Sequence, residues 1–314
     1  MTLLLWLLAL AGGLVILSLS SDWFVEAAEK VGLFFKLPGF IIGVVIIGFG
    51  TSLPELASSV VSVIHGNSEI VISNAIGSNI TNIFLVLGVS ALFAGSYTIK
   101  HDIFQADLPF LMGSAILISL MTYNRNFTIF EALICLAALG LYLHRSIKNG
   151  QIGEQIKEDE AEEVVKPALM TWLILIISPL LISLGADLTV KAVVAVSELA
   201  GIGTEIIAVT VVALGTSLPE VMVSIQASRK GKGDIAVGNV IGSNIFNTFA
   251  VMGVGALVGP LTISSSYPVK TLPIFLGATA MLYFIVQDKK VHRFEGILLL
   301  LFYLFFLASS YGVI

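Results

Sequence analysis

The hexapeptide GTSLPE occurs twice in this chain, at 50–55 and again at 215–220, each time inside a long apolar run. A second pair of motifs has the same spacing: NAIGSNITN at 74–82 and NVIGSNIFN at 239–247. Both offsets are 165 residues without a gap, and Asp22 and Asp187 share them. Two separate motifs repeated at one spacing mark a duplication. Whatever one half folds into, the other half is expected to fold into as well.

The folding medium follows from composition. The 314 residues are 57% hydrophobic and only 12% charged, where soluble domains carry about 25% charged residues. Mean hydropathy is +1.00. Apolar runs near 20 residues are candidate membrane helices. Ten are predicted, at 2–21, 38–64, 70–95, 104–123, 127–144, 168–187, 202–227, 235–259, 270–287 and 294–313. The longest hydrophilic break, Arg145 to Lys166, separates five from five and reads as a solvated charged linker. Five is odd, so the second copy enters the membrane upside down. The expected fold is all-α and polytopic: ten transmembrane helices in two inverted five-helix repeats, 1–145 and 167–314, joined by 146–166. Inverted repeats are an architecture of secondary transporters, with the binding site at the midplane between them.

Orientation follows the basic residues. With the N-terminus outside, 13 of the 16 lysines and arginines lie inside; Arg125, Lys191 and Lys270 lie outside. Both termini are therefore expected outside and the linker in the cytoplasm of a plasma-membrane protein. Thr2–Ser21 lacks a basic n-region and exceeds a typical h-region, so a retained helix is expected rather than a cleaved signal. Cys135 stands alone, which leaves no disulfide framework or cysteine metal site. His65, His101, His144 and His292 fall near predicted segment ends, and no HExxH occurs. The bilayer is the expected partner, not nucleic acid, and no cofactor is implied.

The repeated motifs carry the chemistry. Proline lacks an N–H and clashes with the carbonyl four residues back, so Pro54 and Pro219 free the Gly50 and Gly215 carbonyls. Thr51 and Glu55 are four apart and Ser52 and Glu55 three apart, so they are neighbours on a helix. Thr216, Ser217 and Glu220 repeat the set. On the next segment Asn74, Ser78 and Asn82 form one stripe, repeated as Asn239, Ser243 and Asn247; Asn79 and Asn244 lie off it. Gly77 and Gly242 permit close helix approach. All the donors are oxygens, which suit hard cations. The bland alternative is that hydroxyls and amides tie membrane helices together. It fits the glutamates least, because an ionisable group at bilayer depth is costly and is functional by default. Glu55 and Glu220 have no buried lysine or arginine on their helices, so a bound cation is the simplest counter-charge, with protons competing.

At these residues the chain resembles the Ca²⁺/cation antiporter superfamily, specifically a compact prokaryotic sodium/calcium exchanger. The GTSLPE stretches resemble its α-1 and α-2 repeats, and the likeness spans nearly the whole chain. The resemblance implies Na⁺/Ca²⁺ exchange by alternating access, with segments 1 and 6 sliding past segments 2, 3, 7 and 8. It implies a Ca²⁺ site of Glu55, Glu220 and the carbonyls of Thr51 and Thr216. It implies Na⁺ sites around Ser52, Ser78, Ser217 and Ser243, with Gly48, Ala213, Thr216 and both glutamates contributing. Asn82 and Asn247 take the middle position; some archaeal members carry aspartate at the place of Asn247. The proton-coupled branch usually carries a GNxxE-type motif, so GTSLPE points to Na⁺, while K⁺ dependence and H⁺ coupling stay open as alternatives. A cation channel is a remoter reading, disfavoured by the repeat. An enzyme is disfavoured because a serine nucleophile needs a positioned base and no histidine lies at matching depth.

Overall fold

The computed structural model describes residues 2–153, 166–199, 217–263 and 267–310. The chain is all-helical apart from four two- or three-residue strands. The first half comprises α1 (Leu3–Phe34), α2 (39–51), α3 (Leu53–Ile64), α4 (Glu69–Ala94), β1 (Ser96–Thr98), α5 (Asp107–Tyr123), β2 (Asn126–Phe127) and α6 (Ile129–Gly153). The second comprises α7 (Leu169–Leu199), α8 (Leu218–Arg229), α9 (Gly233–Val258), β3 (Leu261–Thr262), α10 (Tyr267–Ile285), β4 (Lys290–His292) and α11 (Arg293–Ser310). Eight of the described helical spans are long and apolar enough to cross a membrane. The predicted segment at 104–123 is shorter, a 17-residue helix, and much of the one at 202–227 lies outside the described residues.

The 165-residue offset persists in the backbone. Leu53–Ile64 and Leu218–Arg229 are helices of equal length. Asn82–Val86 and Asn247–Val251 are both wound as π-helix, a form found mostly as short bulges at functional sites. Even the chain reversals repeat. Gly66 and Gly231 sit at φ +80 and +73 after α3 and α8. There Asn67 N donates to Ser62 O and Lys232 N to Ala227 O, closing each helix in a Schellman pattern. The short strands pair across the halves: Ser96 faces His292, and Leu261 faces Phe127. Each pairing is the other shifted by one repeat.

One expectation needs correction. The first and sixth segments do not end at 21 and 187. Their helices run on to Phe34 and Leu199, so Asp22 and Asp187 lie inside α1 and α7. Hydropathy alone missed this because charged residues can extend a helix beyond the apolar core, where water solvates them. At GTSLPE the first-half helix is interrupted. The break falls at Ser52 (φ −92, ψ 6), and Pro54 stands in the first turn of a new helix, where its missing N–H costs nothing.

α9 is the most enclosed span: 89% of its apolar window is buried, against 17% for α1 and α11. It meets α2 along a seam of glycines. A Cβ on Gly43 would lie 2.5 Å from Ile235 O, one on Gly238 2.4 Å from Phe40 O, and one on Gly242 2.6 Å from Val44 O. Small residues let helix backbones touch where lipid supplies no hydrophobic drive. Among the described residues nothing lies within 4 Å of a Cβ placed on Gly77, so close approach there is seen only at Gly242. α1 and α7 form a second pair, with Gly13 against Thr189 and Gly185 against Leu17. Gly238→Val is expected to destabilise the fold by about 1–3 kcal/mol through overpacking against backbone. Gly113→Val, at a position with open space, should be near neutral. Thermal melts in detergent that rank the two equally would refute the seam.

Candidate ion-binding site

Two matching helix starts build the site. Ser217 has φ −97 and ψ 1, close to the values at Ser52, and precedes α8 as Ser52 precedes α3. Glu55 and Glu220 therefore stand in the first turns of α3 and α8, where unpaired N–H groups and the helix dipole favour negative charge. Both residues are 1% exposed. Ser52 Oγ, from the turn that precedes the helix of Glu55, donates to Glu220 Oε1 at 3.3 Å and so links the two motifs. Both oxygens of Glu55, and Oε2 of Glu220, are buried without a partner. Among the described ion pairs none includes either glutamate. Burying charge without compensation is expensive, so this pair calls for a cation.

Residues from both halves close around it. Thr51 Oγ1 donates to Asn239 Oδ1 at 3.3 Å and lies 3.4 Å from Ser243 Oγ. Ser243 Oγ donates to Gly48 O at 3.2 Å. The same carbonyl receives Ser52 N. Thr51, Ser52, Ser78, Asn82, Ser217, Ser243 and Asn247 are all buried. The Ser78 hydroxyl, Asn82 Oδ1 and both polar atoms of the Asn247 amide have no partner. Asn74 is only half-buried, though its Nδ2 is enclosed and unpartnered. Pro219 occupies the first turn of α8 as Pro54 does that of α3. Thr216 and Ala213 lie outside the described residues. The donor set that converges here is carboxylate, hydroxyl, amide and backbone carbonyl. It can replace the hydration shell of a hard cation.

Sequence reasoning underrated two residues. Asn79 and Asn244, off the polar stripe, carry the contacts between the halves. Asn79 Nδ2 donates to Thr248 Oγ1 at 2.8 Å, Asn244 Nδ2 to Asn79 O at 3.3 Å, and Asn82 Nδ2 to Asn244 Oδ1 at 3.1 Å. Their own repetition at the 165-residue offset was the available signal. A third buried acid, Asp107, also escaped notice. It stands apart from the glutamates, accepting from Tyr142 Oη at 2.8 Å and lying 3.3 Å from His101 Nε2.

With this geometry in view, the comparisons agree with one another. The chain is 32% identical to the sodium/calcium exchanger MaX1 of Methanosarcina acetivorans, over 96% of this chain and 97% of that one. It is 32% identical to the putative antiporter CaxA of Alkalimonas amylolytica, over 92% and 93%. Its fold superposes on a structure of the sodium-calcium exchanger NCX_Mj, soaked with zero Na⁺ and Ca²⁺, with a TM-score of 0.83 and 31% identity. That match covers 98% of this chain and 100% of that one. The family model for sodium/calcium exchanger proteins matches residues 5–148 and 170–312. This multi-pass membrane protein belongs to the sodium/calcium exchanger family.

Proposed function

We propose that the protein is a secondary antiporter exchanging Na⁺ for Ca²⁺ by alternating access. The observation that carries this reading is the pair of buried, uncompensated carboxylates, one from each copy of GTSLPE, alongside the buried, unpartnered oxygens of Ser78, Asn82 and Asn247. Two negative charges are neutralised by one Ca²⁺ or by several Na⁺, but not well by both sets together. Competition for shared ligands then couples the two ions. Glu55 and Glu220, with the carbonyls of Thr51 and Thr216, hold Ca²⁺. Ser52, Ser78, Ser217 and Ser243 serve Na⁺, with Gly48 and Ala213 supplying carbonyls and Asn82 and Asn247 in the middle. The carbonyl end of the helix that stops at Ser52 suits a cation in the manner of discontinuous transporter helices.

The halves 1–145 and 167–314 act as inverted repeats, with 146–166 as a cytoplasmic linker and both termini outside the plasma membrane. The matching helix starts after Ser52 and Ser217 and the mirrored strand pairs support that arrangement. α1 and α7, packed chiefly on each other, are the elements that slide.

In sealed vesicles an outward Na⁺ gradient is expected to drive ⁴⁵Ca²⁺ uptake. Uptake that follows a pH gradient and ignores Na⁺ would establish H⁺ coupling instead. A requirement for added K⁺ would mark the K⁺-dependent form, and Ca²⁺ flux without counter-ion would indicate a channel. Glu55→Ala and Glu220→Ala should each lower exchange by on the order of 100-fold or more, the cost of removing one member of a buried charge-paired set. Both variants should still insert, and full transport in either sinks the assignment. Asn247→Asp places a third acid beside two others, so at least one more proton is held near neutrality. Proton inhibition of ⁴⁵Ca²⁺ uptake should then begin at higher pH than in the parent. Superimposable pH profiles would remove Asn247 from the site.

A further inference from the structure

The duplication lets each hydrogen bond be compared with its equivalent 165 positions away. Several bonds differ between the halves (Ser52–Glu220, for one, has no Ser217–Glu55 counterpart), and in two of them both atoms of the missing bond are left over. Asn239 Nδ2 donates to Ser224 Oγ at 2.9 Å. The equivalent residues in the first half are Asn74 and Ser59. There Asn74 Nδ2 and Ser59 Oγ are both buried, and neither has a partner. Likewise Asn82 Nδ2 donates to Asn244 Oδ1 at 3.1 Å. The equivalent bond would run from Asn247 to Asn79. Asn247 Nδ2 and Asn79 Oδ1 are again both buried and both unpartnered.

In each case the leftover atoms are the donor and the acceptor of the missing bond. A buried polar atom without a partner costs about 1–3 kcal/mol, so each open pair has a driving force to close. The surroundings allow it, since α3 packs on α4 as α8 packs on α9. Ser59 is 1% exposed, Asn79 1% and Asn247 0%, so bulk water does not reach these side chains.

We propose that Asn74–Ser59 and Asn247–Asn79 are the open members of two alternating hydrogen-bond pairs. The change of access closes them while opening Asn239–Ser224 and Asn82–Asn244. The inference rests on the alternating-access reading above, in which inverted repeats exchange conformations. It assigns Ser59, Ser224, Asn79 and Asn244 as positioning residues, which act on the ion ligands through others. Asn239 shows the linkage. Its amide nitrogen holds Ser224 while its Oδ1 accepts from Thr51 Oγ1, so the state of the pair reaches the turn that precedes Glu55. Ser224 stands one helical turn beyond Glu220, and Ser59 one turn beyond Glu55.

The test uses the serines, which lie outside the ion ligands. Ser224→Ala removes a bond from the conformation described here. Ser59→Ala removes a bond only from the opposite one. In oriented vesicles, the ratio of half-saturating Ca²⁺ concentrations at the two faces tracks the equilibrium between the two conformations. Each single variant should move that ratio by about five-fold, the worth of one net hydrogen bond, and in opposite directions. The double variant should return to the parental ratio. Asn74→Ala should match Ser59→Ala in direction and add nothing to it, because both remove the same bond. Shifts in the same direction, no shift in either single variant, or a double variant that stays displaced would overturn the proposal. A parent protein without Na⁺-driven Ca²⁺ uptake would instead overturn the transport reading, so the two failures are distinct.

Discussion

Two carboxylates buried without a protein cation are the constraint on which the rest of the structure depends. Glu55 and Glu220 are both enclosed, and no lysine or arginine among the described ion pairs reaches them. A packed helix cannot stabilise such charges alone. Each acid is therefore placed in the first turn of a helix that starts after Ser52 or Ser217 and carries a proline there. The dipole and the free N–H groups of that turn lower the cost of the charge. Ahead of Ser52 the preceding helix end presents carbonyls of the opposite polarity. Under the proposed reading, that one break serves an anion of the protein and a cation of the solution together.

Such an arrangement needs a rigid frame, because a ligand shell misplaced by an ångström loses most of its value. The glycine seam between α2 and α9 provides it. With Gly43, Gly238 and Gly242 holding the backbones in contact, Gly48 O comes within reach of Ser243, and Thr51 within reach of Asn239. The amide network of Asn79, Asn82, Asn244 and Thr248 then fastens the two halves at the same depth. The exposed pair α1 and α7 hangs on this core through fewer polar ties, among them Gln226 to Ser18 and Lys230 to Asp22. The proposed exchange of access would move this pair against that core.

Much of this was legible before any coordinates. GTSLPE at two positions announced the breaks, the acids and the serines, because a membrane segment rarely tolerates proline beside glutamate unless the pair has work to do there. The asparagine stripes were legible from spacing. Other features were hidden for physical reasons. Asn79 and Asn244 lie off the stripe of their own helices, and their value appears only when another helix is opposite. The helices through Asp22 and Asp187 outrun the hydrophobic signal, because helical hydrogen bonding continues wherever water can solvate the side chains. That the break falls at Ser52, two residues ahead of Pro54, is seen only in the backbone dihedrals.

The sequence by itself determined the medium, the duplication and the chemical type of the site. Those follow from composition, spacing and residue identity, which are properties of the chain in any conformation. Only the tertiary structure decided which donors meet which acceptors. Equal halves could have formed equal bonds, yet Asn239 holds Ser224 while Asn74 and Ser59 stand apart. A duplicated sequence is symmetric, but one conformation has to leave one half of each alternating pair unmade. Symmetry is written in the residues, and its breaking is a choice that only a packed arrangement can make.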